Sequence, residues 1–377
     1  MIRVRNPFII GRYVSPEYFC DRDKEVENLI KNIENGRNVF FSAPRRMGKT
    51  GLICHLFAQD EIKQDYYTFF IDLYGTKSLS EFVYAFGKAV FDSLKPKGVI
   101  VSERLKDFLL AIHVGMKIDP NTGEPSLDMG LGSIQKADVT LDKIFKYLEH
   151  ADKPCIVAFD EFQQISEYEE KNVEAVMRTY IQHCQNSTFI FTGSKRHMIS
   201  QMFLSPSKPF YESSMGMGLQ PIPIESYIRF AQQKFRDFDK EIMREVVENV
   251  YNEYEGCTWY VHTLLNELFY LTDKGCICDM EMIPIAVDNI ISAQYDNYSQ
   301  LMNNISTKQK MVLQAIAREG IAHQITSSLF LRKHSLPSSS TVQSAMKGLM
   351  EKDIVIRQDD DTYRIYDYFF SQWLARR

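Results

Sequence analysis

The sequence predicts an α/β protein whose mostly parallel sheet is followed by a helical region and by a small mixed module. Short apolar runs alternate with helix-periodic segments over residues 1–218, and this order indicates a parallel sheet covered by helices on both faces. Residues 225–300 are almost entirely helix-periodic. From Thr307 onward three helices precede two short strands, which is the order of a winged helix. We therefore expect three domains, at 1–218, 219–304 and 305–377.

Each predicted strand is a short apolar run, and each predicted helix carries apolar side chains at intervals of three and four residues. The strands are 38–43, 66–75, 155–159 and 189–193. The helices are 19–35, a segment opened by PRRMGKT, 78–118, 140–150 and 169–184. The last module is predicted to contain helices 307–318 and 326–334, a Ser-rich turn LPSSS, helix 341–353, and strands IVIR and TYRIY. Residues 119–138 and 205–218 are rich in Gly, Pro and Ser, so we expect a small hairpin or loop in the first and a loop in the second.

The composition excludes several classes of protein. Lys and Arg number 44 against 49 Asp and Glu, and the net charge of −5 argues against a protein that coats nucleic acid over its whole surface. With 45% hydrophobic residues the chain is not disordered, and no apolar run approaches the ~20 residues that a membrane helix needs. The first residues lack the apolar core of a secretory signal, and the seven cysteines have no disulfide or zinc spacing. We expect a cytoplasmic protein without a membrane segment.

The segment SAPRRMGKTG at 42–51 has the pattern of a phosphate-binding loop, with Ala43 where the pattern usually has its first glycine. It follows a predicted strand and opens a predicted helix, so backbone N–H groups would converge on phosphate oxygens. Gly48 would let the backbone approach the phosphates. Lys49 would reach the β- and γ-phosphates as a catalytic residue, and the Thr50 hydroxyl would ligate Mg²⁺. The expected ATP or ADP contacts in the loop are Ala43, Pro44, Arg45, Arg46, Met47, Gly48, Lys49, Thr50 and Gly51.

The run CIVAFDEF at 155–162 supplies a second part of the expected site. An apolar strand that ends in Asp-Glu delivers two carboxylates to the carboxyl edge of the sheet, where ligands of open α/β folds bind. Asp160 would hold Mg²⁺, mostly through water, and Glu161 would orient and deprotonate the attacking water as a general base. An ordinary strand with an exposed acidic turn would have the same pattern, but beside a phosphate-binding loop we favour the catalytic interpretation.

Polar residues also end the predicted strand at 189–193. Thr192 and Ser194 are candidate catalytic contacts to the attacking water or the γ-phosphate, and an ordinary strand-end turn is the alternative. Arg196 is a candidate for the arginine that one subunit offers to a neighbour's nucleotide. Arg45 and Arg46 contact phosphate or a partner, or they belong to a solvated face.

These motifs together resemble archaeal-type AAA+/STAND P-loop ATPases over nearly the whole chain. FCDRDKEV is similar to the F-x-G-R-E-x-E-L box that precedes the phosphate-binding loop of that family, and APRRMGKT is similar to its G-P-R-R-x-G-K-T loop. FDEFQ resembles its Walker B strand end, and FTGS its sensor strand. TYRIYDYFFSQWLARR resembles the end of its winged helix. The fold implied is an AAA+-like P-loop NTPase sheet with a helical lid and a C-terminal winged-helix domain.

The resemblance also implies roles for residues outside the loop. The box around Phe19, Arg22 and Asp23 would lie against the adenine and ribose, with Asp21 standing where the family usually has Gly. The segment EGCTWYVHTLL at 255–265 is similar to the family's G-x-P segment, which packs the helical lid over the nucleotide, with Thr in place of Pro. The implied strand order has the Walker B strand beside the strand that enters the phosphate-binding loop.

The sequence does not decide what the C-terminal module binds. It holds 11 Lys and Arg against 7 Asp and Glu, so it is mildly basic. If it binds duplex DNA, Gln343, Ser344 and Lys347 would face the groove, but the acidic residues 359–361 of the wing would repel phosphate. An intramolecular or protein-binding winged helix is the alternative.

We therefore expect a cytoplasmic, Mg²⁺-dependent ATPase that works as a nucleotide-driven switch through Mg²⁺-ATP held at residues 43–51. Two alternatives remain open. One is a DNA-binding regulator that uses the nucleotide only as a structural clamp, and the other is a signalling scaffold that keeps ADP bound with negligible turnover. A protein partner and oligomerisation are compatible with each of these hypotheses.

Overall fold

The computed structural model describes residues 4–94, 115–118, 125–128, 137–358 and 361–377. The chain forms two compact units, one at Gly11–Ile222 and one that joins Met1–Ile10 to Pro223–Arg377. The predicted boundary between a lid and a winged-helix domain at 304/305 stays a prediction.

In the unit Gly11–Ile222 strands and helices alternate, as the apolar pattern predicts. The strands are β1 (Val39–Ser42), β2 (Tyr67–Asp72), β3 (Gly115–Ile118), β4 (Pro125–Asp128), β5 (Cys155–Asp160), β6 (Ser187–Gly193) and β7 (Met215–Gly218). The helices are α1 (Asp23–Glu34), α2 (Lys49–Phe57), α3 (Asp60–Asp65), α4 (Leu79–Leu94), α5 (Ala137–Glu149), α6 (Val173–His183) and α7 (Arg196–Leu204). Short 3₁₀ helices cover Pro16–Tyr18 and Phe162–Glu167.

Five parallel strands form the main sheet in the order β2-β5-β6-β1-β7. The expectation that β5, the strand that ends in Asp160 and Glu161, lies beside β1 is wrong, because β6 lies between them. Which strands become neighbours depends on the helical connections between them, and the spacing of motifs along the chain does not reveal it. The result matters for the site, because Thr192 at the end of β6 pairs in register with Phe41 of β1.

The core of this unit is built from aromatic side chains on the strands and on the segments that follow them. All six residues of β5 are buried, which explains why its sequence is a continuous apolar run instead of an alternating one. The ring centroids of Phe159 and Phe162 lie 5.7 Å apart, and those of Phe162 and Phe191 lie 4.6 Å apart. Phe162, directly after the two acids, therefore anchors the turn that carries them.

Three sequence predictions in this unit need correction. The helix predicted over 78–118 cannot reach its end, because Gly115–Ile118 is a strand that pairs antiparallel with Pro125–Asp128; residues 95–114 lie outside the described part of the chain. The predicted loop 205–218 ends in a strand, because Met215–Gly218 pairs with β1 and Gly216 lets that strand lie close against Phe40. The helix Arg196–Leu204 was not predicted at all.

The second unit is helical up to its C-terminal module except for two short parallel strands. Its elements are α8 (Ile224–Arg236), β8 (Glu241–Ile242), α9 (Arg244–Glu253), α10 (Thr258–Leu271), β9 (Ile277–Cys278), α11 (Met282–Ala293) and α12 (Tyr295–Asn303). The N-terminal segment packs here. The Asn6 side-chain amide donates to the carbonyl oxygen of Asn266 at 2.9 Å, and the Asn266 amide donates to that of Phe8 at 2.7 Å. Thr258, which stands where the resembled family usually has proline, is the first residue of α10, and proline is favoured at that position of a helix.

The C-terminal module has the predicted winged-helix order. It consists of α13 (Thr307–Glu319), α14 (Ser328–Lys333), α15 (Ser339–Glu351), β10 (Val355–Arg357), β11 (Tyr363–Ile365) and α16 (Tyr368–Ala375), with β10 and β11 antiparallel. The predicted turn LPSSS is shorter than expected. Ser338 caps α15 by accepting a hydrogen bond from the Thr341 N–H at 3.3 Å, so the serines after it begin the helix. Asp359 and Asp360 of the predicted wing lie outside the described residues.

None of the helices in the described residues is long and apolar enough to cross a membrane.

Candidate functional site

The phosphate-binding loop connects β1 to α2, as predicted from the sequence. Its left-handed backbone positions are Arg46, with φ of 69°, and Gly48, with φ of 89°. Ala43 is absent from the positions with positive φ, so alanine at the first glycine position costs no backbone strain. The Lys49 ammonium is buried and donates to the carbonyl oxygens of Ala43 and Pro44 at 2.8 and 2.7 Å. Lys49 therefore lies folded across the loop, where phosphate oxygens could replace those carbonyls as its acceptors.

Asp160 joins three parts of the site. The Thr50 hydroxyl donates to Asp160 Oδ2 at 2.7 Å, and the Thr192 hydroxyl donates to Asp160 Oδ1. The carboxylate is 8% exposed and Thr192 is fully buried, so the Thr192 bond is shielded from water, whereas Thr50 is exposed. Two hydroxyls from separate sequence motifs thus donate to one carboxylate, which belongs to a third motif.

Thr50 and Asp160 are the residues that could hold a metal ion. A hydroxyl and a carboxylate already lie within hydrogen-bonding distance, and such oxygens are the protein ligands that Mg²⁺ uses beside water and phosphate. Within the described ranges no cluster of three His, Cys, Asp or Glu could hold a metal by itself. The donor set therefore fits an ion that takes most of its ligands from water and phosphate.

Glu161 is held by the sensor strand end. Its backbone is left-handed, with φ of 56°, so the chain turns sharply from β5 into the 3₁₀ helix that follows. The Ser194 N–H donates to Glu161 Oε2 at 3.1 Å, and the Ser194 hydroxyl donates to the same oxygen at 2.7 Å. The structure therefore brings two of the predicted catalytic residues, Glu161 and Ser194, into direct contact.

Gln163 is a site residue that the sequence analysis missed. Its side-chain amide donates to Glu161 Oε2 at 2.5 Å, and the side chain is 1% exposed. The sequence contains no signal for this role, because nothing in FDEFQ distinguishes a buried glutamine from an exposed one. Only the fold shows that its amide contacts the carboxylate of Glu161, the predicted general base.

The Arg22 guanidinium contacts the backbone of the phosphate-binding loop. It is 3% exposed and donates to the carbonyl oxygens of Met47 at 3.3 Å and Gln220 at 2.7 Å, and to Glu25 Oε1 at 2.7 Å. Asp21, at the family's glycine position, has φ of 55°, a conformation that Asp tolerates better than most residues. Its carboxylate accepts a hydrogen bond from the Arg22 N–H at 2.7 Å. These bonds show Arg22 supporting the loop; the expected adenine and ribose contacts of Phe19, Arg22 and Asp23 remain predictions.

Phe19 belongs to an aromatic cluster beside α2. Its ring stacks on His55 with centroids 4.3 Å apart, and the Tyr13 hydroxyl lies 3.0 Å from His55 Nδ1. Gly51 leaves room for the Phe19 ring, which would lie 3.2 Å from a Cβ at that position. Burial lowers the pKa of His55 and raises that of Tyr13 to about 12, so both side chains are uncharged near neutral pH. The cluster presents flat apolar rings next to the phosphate-binding loop.

The basic residues named from the sequence lie around this centre. Arg196 is exposed as the first residue of α7, and Arg45 and Arg46 are half-buried in the loop. Lys195 forms an ion pair with Glu167 at 2.5 Å. The described contacts do not assign any of the three arginines to a phosphate or to a partner subunit.

Family models match most of the chain. Residues 19–264 match a family described as an ATPase domain predominantly from Archaea. The chain belongs to this family. Residues 296–376 match a second model, described as a probable winged helix domain. Together the two models confirm the predicted combination of a P-loop ATPase domain and a C-terminal winged helix. No protein with a curated functional description matches the chain.

Solved structures of other proteins share the fold of this ATPase-family chain. A Walker-type ATPase of Pyrococcus abyssi superposes with a TM-score of 0.65 at 15% identity, covering 98% of this chain and 99% of that one. The ORC2 protein of Aeropyrum pernix, solved as ADPNP and ADP complexes, has a TM-score of 0.61 at 13% identity, covering 99% and 96%. At these identities the likeness establishes the fold alone.

Proposed function

We propose that this chain binds ATP at residues 43–51 and hydrolyses it with Glu161 as the general base. The observation that carries the proposal is the pair of hydrogen bonds from Thr50 and Thr192 to Asp160. These bonds support the proposal because they join Thr50 of the loop, Thr192 at the end of β6 and Asp160, the carboxylate that we propose binds the metal. Glu161 is the next residue, so its carboxylate is available to a water that attacks the γ-phosphate.

The side chains have separate tasks in this proposal. Lys49 exchanges its loop carbonyl acceptors for oxygens of the β- and γ-phosphates, and Thr50 with Asp160 holds Mg²⁺. The ion, when bound, neutralises charge on the phosphates. Glu161 keeps Oε2 on the Ser194 donors and accepts the proton of the attacking water at Oε1. Ser194 thus orients the base, and Thr192 orients the Asp160 carboxylate.

Steady-state and single-turnover ATP hydrolysis, compared between wild type and Glu161→Gln, tests the proposal. We expect the amide to lower the rate by about 10²-fold or more while ATP binding persists, because the size of the side chain is kept and only the base is lost. Glu169→Gln, an exposed carboxylate on the same connection, is the matched control and should hydrolyse at the wild-type rate. Equal rates in wild type and Glu161→Gln would rule out Glu161 as the base.

We further propose that loss of the γ-phosphate switches the protein between two states, relayed to the lid and the winged helix. Such a switch requires the nucleotide to bind the two states with different affinity. Small-angle scattering of the Glu161→Gln protein with ATP and with ADP tests this, because identical curves would show that the nucleotide selects no state. Tight ADP binding with no turnover in wild type would favour the signalling-scaffold alternative.

DNA binding by the winged helix is the second candidate function. Gln343, Ser344 and Lys347 are all exposed on α15, the helix that would enter a major groove. The ORC1 protein of Aeropyrum pernix, which has a TM-score of 0.54 to this chain at 12% identity, was solved in complex with DNA. Against it, Arg357 of the wing is paired with Asp361.

Fluorescence anisotropy with a labelled duplex at several salt concentrations tests this candidate. Lys347→Ala should weaken binding and reduce the slope of log affinity against log salt by about one, because one phosphate contact is lost. Lys308→Ala, an exposed lysine at the start of α13, is the control. No salt-dependent binding by wild type would exclude a DNA-reading role for α15.

A further inference from the structure

Gln163 stands in an unusual position for a glutamine. It is 1% exposed, and its Oε1 is buried without a hydrogen-bond partner in the part of the chain that the structure describes. A buried amide oxygen without a hydrogen bond lowers the free energy of unfolding. The side chain therefore destabilises the fold unless its other end makes a compensating interaction. That other end, Nε2, donates to Glu161 Oε2 at 2.5 Å.

The Glu161 carboxylate is held asymmetrically. The Gln163 amide, the Ser194 N–H and the Ser194 hydroxyl all donate to Oε2, at 2.5, 3.1 and 2.7 Å. Among the described residues none donates to Oε1. Hydrogen bonds to a carboxylate are charge-assisted and therefore fix its orientation strongly. A carboxylate anchored through one oxygen keeps the other in a defined direction, which a general base requires.

The backbone around Gln163 is arranged to hold its amide in place. The Gln164 N–H donates to the Glu161 carbonyl oxygen at 3.0 Å, which closes the turn and points residue 163 back toward the carboxylate. Gly193, at the end of β6, provides the space: a Cβ at this position would overlap Gln163 Oε1. Gly193 does not have positive φ, so the close approach of this side chain, not backbone conformation, is what calls for glycine.

We propose that Gln163 is a positioning residue for the general base: its buried amide fixes Glu161 Oε2 so that Oε1 faces the attacking water. This inference rests on the proposed ATPase function. It adds a residue that acts on the reaction only through Glu161. Gly193 makes the arrangement possible by leaving room for the amide.

Gln163→Met tests the proposal, because Met fills a similar volume without the amide. We expect kcat for ATP to fall about tenfold or more, but by no more than in Glu161→Gln, since the total contribution of a general base is about 10²–10⁴-fold. KM for ATP should stay within about twofold, because among the described residues the Gln163 side chain makes no hydrogen bond to residues 43–51. Gly193→Ala should lower kcat in the same way by displacing the amide. Gln164→Ala, the adjacent and more exposed amide, is the control.

The double variant Glu161→Gln/Gln163→Met gives the sharpest test. It should be no slower than Glu161→Gln alone, because a positioning residue has nothing to position once the base is gone. Independent, multiplied losses would overturn the proposal, as would a Gln163→Met protein with wild-type kcat or an equal loss in Gln164→Ala.

Thermal melting of the same variants separates this inference from the proposed function. If Gln163 holds Glu161, the Tm shifts of the two single variants will not add up to that of the double variant, whether or not ATP is hydrolysed. Additive shifts would overturn the contact itself. If wild type does not hydrolyse ATP but the Tm shifts are non-additive, the ATPase proposal and the positioning role of Gln163 are both overturned. The hydrogen bond between Gln163 and Glu161 would still be confirmed.

Discussion

Thr50 and Asp160 lie 110 residues apart in the chain, yet the Thr50 hydroxyl donates a 2.7 Å hydrogen bond to the Asp160 carboxylate. Thr50 is the second residue of α2 and Asp160 ends β5, so the bond links the helix that follows β1 to a strand two positions away from β1 in the sheet. Thr192 on the intervening strand donates to the other carboxylate oxygen. Several measurable consequences follow from this connection and from the groups around it.

Removing the Thr192 hydroxyl should destabilise the ATPase unit. Thr192→Val keeps the shape of the side chain but leaves Asp160 Oδ1 with one donor fewer in a buried place, so we expect a loss of about 1–3 kcal/mol in the free energy of unfolding. Thr188→Val, a buried threonine on the same strand, is the control. Denaturant unfolding measures both, and an equal effect at the two positions would mean that the Asp160 bond contributes nothing specific.

Lys49 should be needed for nucleotide binding. Lys49→Ala removes the cation that faces the phosphates, so we expect the Kd for a fluorescent ATP analogue to rise by about tenfold or more, which corresponds to about 1.4 kcal/mol of binding free energy. Lys63→Ala, an exposed lysine paired with Asp60 on α3, serves as the control. Unchanged affinity in Lys49→Ala would show that the loop does not bind phosphate in the expected way.

Replacing Arg22 should weaken the fold near the phosphate-binding loop. Arg22→Ala leaves the Met47 and Gln220 carbonyl oxygens without this donor, and we expect a loss of about 2–3 kcal/mol in the free energy of unfolding. Arg22→Lys should recover only part of it, because an ammonium cannot reproduce the planar fork of the guanidinium. Arg37→Ala, at an exposed arginine after the C-terminal end of α1, should have little effect, and a similar loss there would contradict the assignment.

Acid should destabilise the second unit through His262. Burial lowers the pKa of this histidine from 6.5 to about 4, while a backbone hydrogen bond at Ile9 opposes the shift. Because the unfolded chain binds the proton more readily, the stability due to neutral His262 is complete above pH 6.5 and is lost as the pH falls toward 4. The full effect is about 3 kcal/mol.

Unfolding of wild type and His262→Phe at pH 7 and pH 4.5 measures this effect. The introduced phenyl ring would pack among the rings of Phe8, Tyr227 and Phe230, which already surround the imidazole. The variant should lose less stability than wild type between the two pH values. Parallel losses in the two proteins would show that His262 does not carry the acid sensitivity.

Much of this site could be predicted from sequence because its residues sit on local patterns. An apolar strand followed by G-K-T or by Asp-Glu is a feature of a few neighbouring residues, and the backbone that forms there is decided locally. Gln163 could not be assigned, since its burial depends on Gly193 at the end of β6, which leaves room for its side chain. The same holds for Arg22, whose acceptors at Met47 and Gln220 lie far apart in the chain.

Local patterns in the sequence are enough to predict the α/β class, the phosphate-binding loop, the paired acids and the winged-helix order, because periodicity and strand-end motifs involve only neighbouring residues. The tertiary structure alone decided that β6 lies between β1 and β5, that Met215–Gly218 adds an edge strand, and that one oxygen of Glu161 receives three hydrogen bonds. These depend on which distant segments become neighbours, and crossover geometry and shared burial select them.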